Sequence, residues 1–312
     1  MKQVPLGKSG LTVSELCLGA MSFGTAVEER AAFAMLDAFV ERGGTFIDTA
    51  NNYAHWAGTG DESETLLGRW LARSGKRQQV TLATKVGFDR HGVGAGLRAQ
   101  QIETWCDESL RKLGVETIDL YYAHVDDPAT PLEETMAAFD SLLRKGKVRA
   151  IGGSNYYTWR LCEMFDACRA HGLAPYSVLQ QRYTYLFAKN GAPSRFPFNE
   201  DAATEKLRFL AQRGMPLVAY SCSARGGYAD HSRLSPDYIQ GERLAVLDRM
   251  AQELGIPAQR LVLAWMLNSW RFQDRPRIIP LFSSSRVETL LDNLAACDVT
   301  LGEDVWARLN EA

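Results

Sequence analysis

Four residues with the chemistry to move a proton stand at or just beyond the ends of short apolar runs. Asp48 closes Phe46-Ile47-Asp48, Tyr53 follows it five residues later, Lys85 closes the run 80–85, and His124 follows Ile118-Asp119-Leu120-Tyr121-Tyr122. Apolar, β-branched runs of this length read as strands of a parallel sheet buried on both faces. Strands lying side by side would bring an acid, a phenol, an ammonium and an imidazole to one end. A phenol has a reference pKa of about 10, so it works near neutrality only beside a group that stabilises the phenolate. Lys85 on the next strand is that group, and Asp48 would keep the ammonium charged and oriented. His124 would hydrogen-bond a substrate oxygen or share its proton. Together the four describe reversible protonation of an oxygen on carbon, as in carbonyl reduction or alcohol oxidation.

The elements that must position them repeat about eight times: a short apolar run, a polar loop, an amphipathic helix. The runs lie at 13–19, 45–48, 80–85, 118–122, 148–152, 176–180, 216–220 and 278–282. Helical periodicity covers 27–42, 61–74, 99–113, 131–145, 158–171, 201–213, 241–254, 257–268 and 286–296, with an extra C-terminal helix at 302–311. Eight such units in series predict an α/β fold, a (β/α)8 TIM barrel, as one domain over 1–312. The opening stretch alternates around Lys8-Ser9-Gly10 and reads as an N-terminal β-hairpin plugging the barrel floor. Active groups in such barrels come from the C-terminal strand ends, where all four residues fall. Two polar loops, 185–200 and 222–240, follow the sixth and seventh runs and are expected over that face.

Composition narrows the alternatives. With 312 residues, 46% apolar and a net charge of -2, the chain can bury a large core and lacks the basic balance of a nucleic-acid binder. No run has the length and apolarity of a membrane span, and the first residues lack a signal-peptide core. A cytoplasmic protein with free thiols is expected. The six cysteines have neither zinc-site spacing nor that of a disulfide framework, so no metal is expected. Oligomeric state is not legible.

The same residues resemble the aldo-keto reductases. Phe46-Ile47-Asp48-Thr49-Ala50-Asn51-Asn52-Tyr53 looks like that family's second-strand signature, and Glu62-Ser63-Glu64-Thr65-Leu66-Leu67-Gly68 like its continuation. Ala83-Thr84-Lys85 and Asp119-Leu120-Tyr121-Tyr122-Ala123-His124 resemble the lysine and histidine elements, and the likeness reaches back to the Leu6-Gly7-Lys8-Ser9-Gly10-Leu11 opening. The resemblance implies an NAD(P)(H)-dependent oxidoreductase with a catalytic tetrad, here Asp48, Tyr53, Lys85 and His124. Its substrate would be a small-molecule aldehyde, ketone or sugar.

Hydride chemistry further implies a nicotinamide held against the substrate. Ser154 and Asn155 after the fifth run would hydrogen-bond its carboxamide together with Gln180, chosen over Gln181 by the family's Gln-x-x-Tyr spacing to Tyr183. Tyr220 would stack on the ring, and Met21 would line both cofactor and substrate. Ser221, Ser223 and Arg225, in a loop of small residues, would meet the pyrophosphate. Cys222, where the family usually has proline, reads as a packing thiol. After the eighth run, Ser283, Ser284, Ser285 and Arg286 run into a helix and read as a site for the 2′-phosphate of NADP(H), with NAD(H) as the other option. The family commonly shows Gly-Ala-Arg or Gly-Ala-Ser where Ser283–Ser285 stand, glutamine or arginine in place of Thr289, and glutamate in place of Asp292. Asp292 and Asn293 would still reach the adenine. His55, Trp56, Tyr185, Phe187 and Tyr228 would form an aromatic pocket for a bulky or ring-shaped substrate. Two other readings are a sugar or secondary-alcohol dehydrogenase running in the oxidative direction, and a cofactor-binding regulatory subunit.

Overall fold

The computed structural model describes residues 1–89, 94–189, 201–271 and 274–311. Among these, eight parallel strands close a barrel: β3 (Cys17–Gly19), β4 (Phe46–Asp48), β5 (Thr81–Val86), β6 (Ile118–Ala123), β7 (Val148–Ser154), β8 (Leu179–Arg182), β9 (Leu217–Tyr220) and β10 (Ile278–Phe282). They neighbour one another in chain order, and β10 pairs back onto β3 through Leu281↔Cys17 and Phe282↔Leu18. The helices are α1 (Glu29–Glu41), α2 (Glu62–Ser74), α3 (Ala99–Leu113), α4 (Leu132–Arg144), α5 (Thr158–His171), α6 (Thr204–Arg213), α7 (Gly241–Leu254), α8 (Ala258–Asn268), α9 (Val287–Leu294) and α10 (Glu303–Asn310). No helix among the described residues is long and apolar enough to cross a membrane.

Alternation along each strand sorts side chains between two cores. Cys17, Phe46, Ala83, Leu120, Ala150, Val178, Val218 and Ile279 fill the barrel interior. Leu18, Ile47, Leu82, Tyr121, Ile151 and Leu179 face outward onto the helices. A short hairpin, β1 (Gln3–Pro5) and β2 (Thr12–Ser14), is a separate antiparallel pair. It sends Val4, Leu6, Leu11 and Val13 into the interior cluster, the expected floor plug. Two residues further along the strands than this apolar layer come Asp48, Lys85, Tyr122, Gln180 and Tyr220. The period of two points them inward as well, so the polar layer sits on top of the apolar one. Gly152 in β7 leaves room for Tyr122: a Cβ there would lie 2.7 Å from that ring.

Three elements depart from their predicted bounds by three residues or more, one of them the strand expected at 176–180, which spans Leu179–Arg182. The run at 13–19 is two strands, because Ser14 Oγ accepts from the amides of Thr45 and Phe46 at 3.0 and 3.1 Å and donates to the Leu16 carbonyl at 2.7 Å, turning the chain between β2 and β3. The helix expected from 201 starts at Thr204, since Asp201 is bonded to Arg182 and the Ala202 amide donates to the Arg182 carbonyl. Residues 190–200 of the loop expected over the active face lie outside the described residues. Its described beginning joins the 222–240 loop: the amides of Lys189 and Ile239 donate to the carbonyls of Asp237 and Phe187 at 2.7 and 2.8 Å.

Candidate active site

Lys85 is fully buried, and all three of its ammonium protons have acceptors. Nζ lies 2.5 Å from Asp48 Oδ1, 2.6 Å from the Thr49 carbonyl and 2.9 Å from the Tyr53 hydroxyl. Adjacency of β4 and β5 makes this possible, since Asp48 is in register with Ala83, two residues before Lys85. The Tyr53 hydroxyl in turn faces Asp48 Oδ1 at 3.4 Å, and the lysine ammonium sits 4.5 Å from the Tyr53 ring centre. Gln180 donates from Nε2 to the second carboxylate oxygen of Asp48 at 2.8 Å. His124 stands edge-on to the Tyr53 ring with 5.8 Å between centres, and its Nδ1 is buried without a partner among the described residues.

The electrostatics depart from expectation at one point. The expected effect of Lys85 is to lower the phenol pKa. Desolvation of the Tyr53 hydroxyl and the Asp48 charge beside it outweigh the ammonium, and the phenol is held well above its ordinary value. Burial likewise pushes Lys85 down against the pull of Asp48. Burial, then the Lys85 charge, holds His124 well below the usual imidazole value, so it is neutral at physiological pH. The resting site is therefore a protonated phenol, a neutral imidazole and a cation whose protons are all committed.

Around this centre, Ser154 and Asn155 are buried at the end of β7, and Asn155 adopts a left-handed φ of 60°. Its Nδ2 donates to the His124 carbonyl at 2.9 Å, and its Oδ1 accepts from the Tyr220 hydroxyl at 2.7 Å, so the residue expected at the carboxamide and the one expected to stack on the ring are tied together. Ser221, Ala224 and Arg225 also have positive φ, of 55°, 46° and 60°. Non-glycine residues held there concentrate at ligand-binding loops. The amides of Ala224, Gly226 and Gly227 are spent on this loop's own turns. Ser223 is half-buried and Arg225 exposed. Cys222 is buried, its thiol on the Leu281 carbonyl at 3.2 Å, and burial pushes it up to about 12.

At the mouth of β10, Ser283, Ser285 and Arg286 are exposed, while Ser284 is buried and accepts from Asn293 at 3.4 Å. Among the described residues Arg286 has no carboxylate partner, whereas Arg260 binds Asp292 at 2.6 Å. This donor set, hydroxyls and an uncommitted guanidinium at a helix start, fits a phosphate. The Asp292 carboxylate is committed to the protein itself.

Two pocket expectations are corrected. Tyr185 is fully buried, its hydroxyl donating to the Leu309 carbonyl at 2.8 Å, and its ring meets Trp265. Tyr228 is 2% exposed and its hydroxyl bonds Thr184 at 2.7 Å and the Leu186 amide at 3.0 Å. Both are core residues that anchor loops. By contrast Met21, Trp56 and Phe187 are 42%, 57% and 58% exposed, and His55 is exposed beside Trp56. Sequence reasoning missed Phe88, half-buried after β5, whose ring meets His124 edge-on at 4.5 Å. Its position three residues beyond Lys85 was the available signal. It also missed the Thr49 carbonyl, which no side-chain motif can announce.

The Aldo/keto reductase family profile matches residues 15–312. An uncharacterized oxidoreductase, YrpG, of Bacillus subtilis (strain 168) is 30% identical over 100% of this chain and 95% of its own length. Norsolorinic acid reductase of Aspergillus flavus is 30% identical over 97% of this chain and 79% of its own. An aryl-alcohol dehydrogenase of Pestalotiopsis microspora is 29% identical over 95% and 78%. With the closed barrel, the Asp48-Lys85-Tyr53 contacts and this match over nearly the whole length, the chain belongs to the aldo/keto reductase family, as an NAD(P)H-dependent carbonyl-reducing enzyme.

Proposed function

We propose that this enzyme uses NADPH to reduce aldehydes or ketones that carry an aromatic ring, with Tyr53 as the proton donor. One observation carries the reading: the three committed donors of Lys85, on Asp48, the Thr49 carbonyl and Tyr53. Bound NADPH supplies the hydride to the carbonyl carbon. The carbonyl oxygen takes the Tyr53 proton, giving an alcohol and leaving a phenolate that Lys85 already faces. Asp48 compensates the buried cation, and Gln180 holds Asp48. Neutral His124 presents a ring nitrogen to the substrate oxygen and fixes its approach. The resting phenol is protonated at neutrality, the state from which it would donate in reduction.

Ser154 and Asn155 would hold the carboxamide, Tyr220 would stack on the ring, and Ser283, Ser285 and Arg286 would take the 2′-phosphate. The aromatic preference draws on the exposed Trp56 and Phe187, on Phe88 against His124, and on relatives named for norsolorinic acid and aryl alcohols. Tyr53→Phe is expected to lower kcat/KM for an aryl aldehyde by about 10³-fold while NADPH still binds, as read by quenching of protein fluorescence. Turnover close to wild type would reject the mechanism. In the same assays Arg286→Ala raises KM for NADPH about tenfold and leaves NADH unchanged. Equal effects on both cofactors would reject the phosphate assignment.

A further inference from the structure

Outside the proton-handling groups, one carboxylate accepts three hydrogen bonds from the loop that follows Tyr53. Glu62 is the first residue of α2 and its side chain turns back over the preceding loop. Oε1 accepts from the Thr59 amide at 2.6 Å and the Thr59 hydroxyl at 3.0 Å, and Oε2 accepts from the Gly60 amide at 2.8 Å. We infer that Glu62 is a positioning residue that clamps the 54–60 loop and thereby sets how the enzyme accepts ring-bearing substrates.

The loop it clamps starts at Tyr53. Ala54 takes a left-handed φ of 75°, and its carbonyl accepts from the amides of Ala57 and Gly58 at 2.9 and 2.8 Å. His55 Nδ1 lies 3.0 Å from the Asn52 carbonyl, and the exposed Trp56 packs edge-on against His55 at 5.2 Å between centres. The far end of the loop is held by the Glu62 carboxylate. Partial burial pushes that carboxyl up, the donors from Thr59 and Gly60 outweigh it, and the group sits below its usual value, so the clamp is charged at neutral pH.

Two glycines show that the surroundings are shaped to this side chain. A Cβ on Gly58 would lie 2.2 Å from Glu62 Oε1, and one on Gly24 would lie 2.9 Å from Glu62 Cβ. Gly24 belongs to the β3–α1 loop that carries Met21. A single residue thus registers two loops, one bearing Trp56 and the other Met21, against each other. Fixing a loop in its bound form lowers the ordering cost of binding without touching the reacting atoms. The expected signature is a change in KM for substrates large enough to reach Trp56.

This inference rests on the aromatic-carbonyl reading for its kinetic arm and is independent of it for its structural arm. Gly58 lies outside the left-handed region, so Gly58→Ala leaves the backbone unstrained and evicts the carboxylate alone. Glu62→Ala and Gly58→Ala are each expected to raise KM for 2-naphthaldehyde about fivefold, with kcat and KM for propanal within about twofold of wild type. The double variant is no worse than either single one, and Glu62→Gln, which keeps one acceptor oxygen, falls between. Hydrogen exchange at the Thr59 and Gly60 amides, measured on the protein alone, accelerates about tenfold or more in both alanine variants. Unchanged exchange, or equal KM shifts for the two aldehydes, overturns the inference. If wild type turns over neither aldehyde, the substrate reading falls, and the exchange result still decides the clamp.

Discussion

Tyr53 and His124 have opposite shifts with one origin, the cost of charge in a site sealed by packing. The phenol stays protonated because its anion would be buried beside Asp48, and the imidazole stays neutral because its cation would be buried beside Lys85. The second shift has a measurable consequence for stability. Between the unfolded histidine pKa of about 6.5 and the depressed folded value, the unfolded chain binds a proton that the folded one refuses. Stability contributed by His124 is therefore complete above about pH 6.5 and lost as pH falls, at about 1.4 kcal/mol per pH unit. His124→Asn should remove this slope from denaturation midpoints compared between pH 7 and 5; an unchanged slope would place the imidazole in a more solvated setting. At this scale the four candidate proton-handling residues were legible because Asp48, Lys85 and His124 stand at the ends of apolar runs and Tyr53 follows Asp48 by five residues. Tyr185 and Tyr228 were not, since an aromatic in a loop has the same local sequence whether it lines a pocket or anchors the loop from below. Only their hydroxyl partners, the Leu309 carbonyl and Thr184, distinguish the two.

At the scale of elements, the helices and strands were readable almost throughout, because buried parallel strands and amphipathic helices have different periods. The boundaries that slipped depend on side chains from elsewhere. Ser14 splits a continuous apolar run by capping the start of β4, and Arg182 on β8 captures the residues just before α6. Neither partner is local in sequence. The close approach of α2 and α3 is a further case. Gly68 sits where a Cβ would be 2.2 Å from the Lys112 carbonyl, an atom that cannot move without shifting α3. Gly68→Ala is expected to cost about 1–3 kcal/mol through overpacking, lowering the melting temperature by about 1.5–5 °C. Because the strand ends are untouched, kcat of the folded fraction should stay near wild type, and a selective loss of kcat with no change in melting would refute this account.

The molecule as a whole is a polar layer resting on an apolar one, with a hairpin beneath. Val4, Leu6, Leu11 and Val13 close the floor under Phe46, Ala83 and Leu120. Burying four such side chains contributes roughly 1.5–3 kcal/mol each, an upper bound given residual burial in the unfolded chain. A chain beginning at Ser14 should melt far below wild type or aggregate on exposing its open barrel, as read by calorimetry and light scattering; an unaltered melting temperature would mean the plug is ornamental. Barrel closure has one more consequence. Every candidate proton-handling group is supplied by residue 124, and the candidate carboxamide, stacking and phosphate groups lie beyond residue 153, with the ring closed by the short β10–β3 seam. During synthesis the candidate acid–base residues are all made while Gln180, which holds Asp48, and the half that would grip the dinucleotide are still to come. On the proposed mechanism the nascent chain would hold its candidate proton donor before it holds the groups that would seat the hydride source, and the ring closes only when its eighth barrel strand docks against its first.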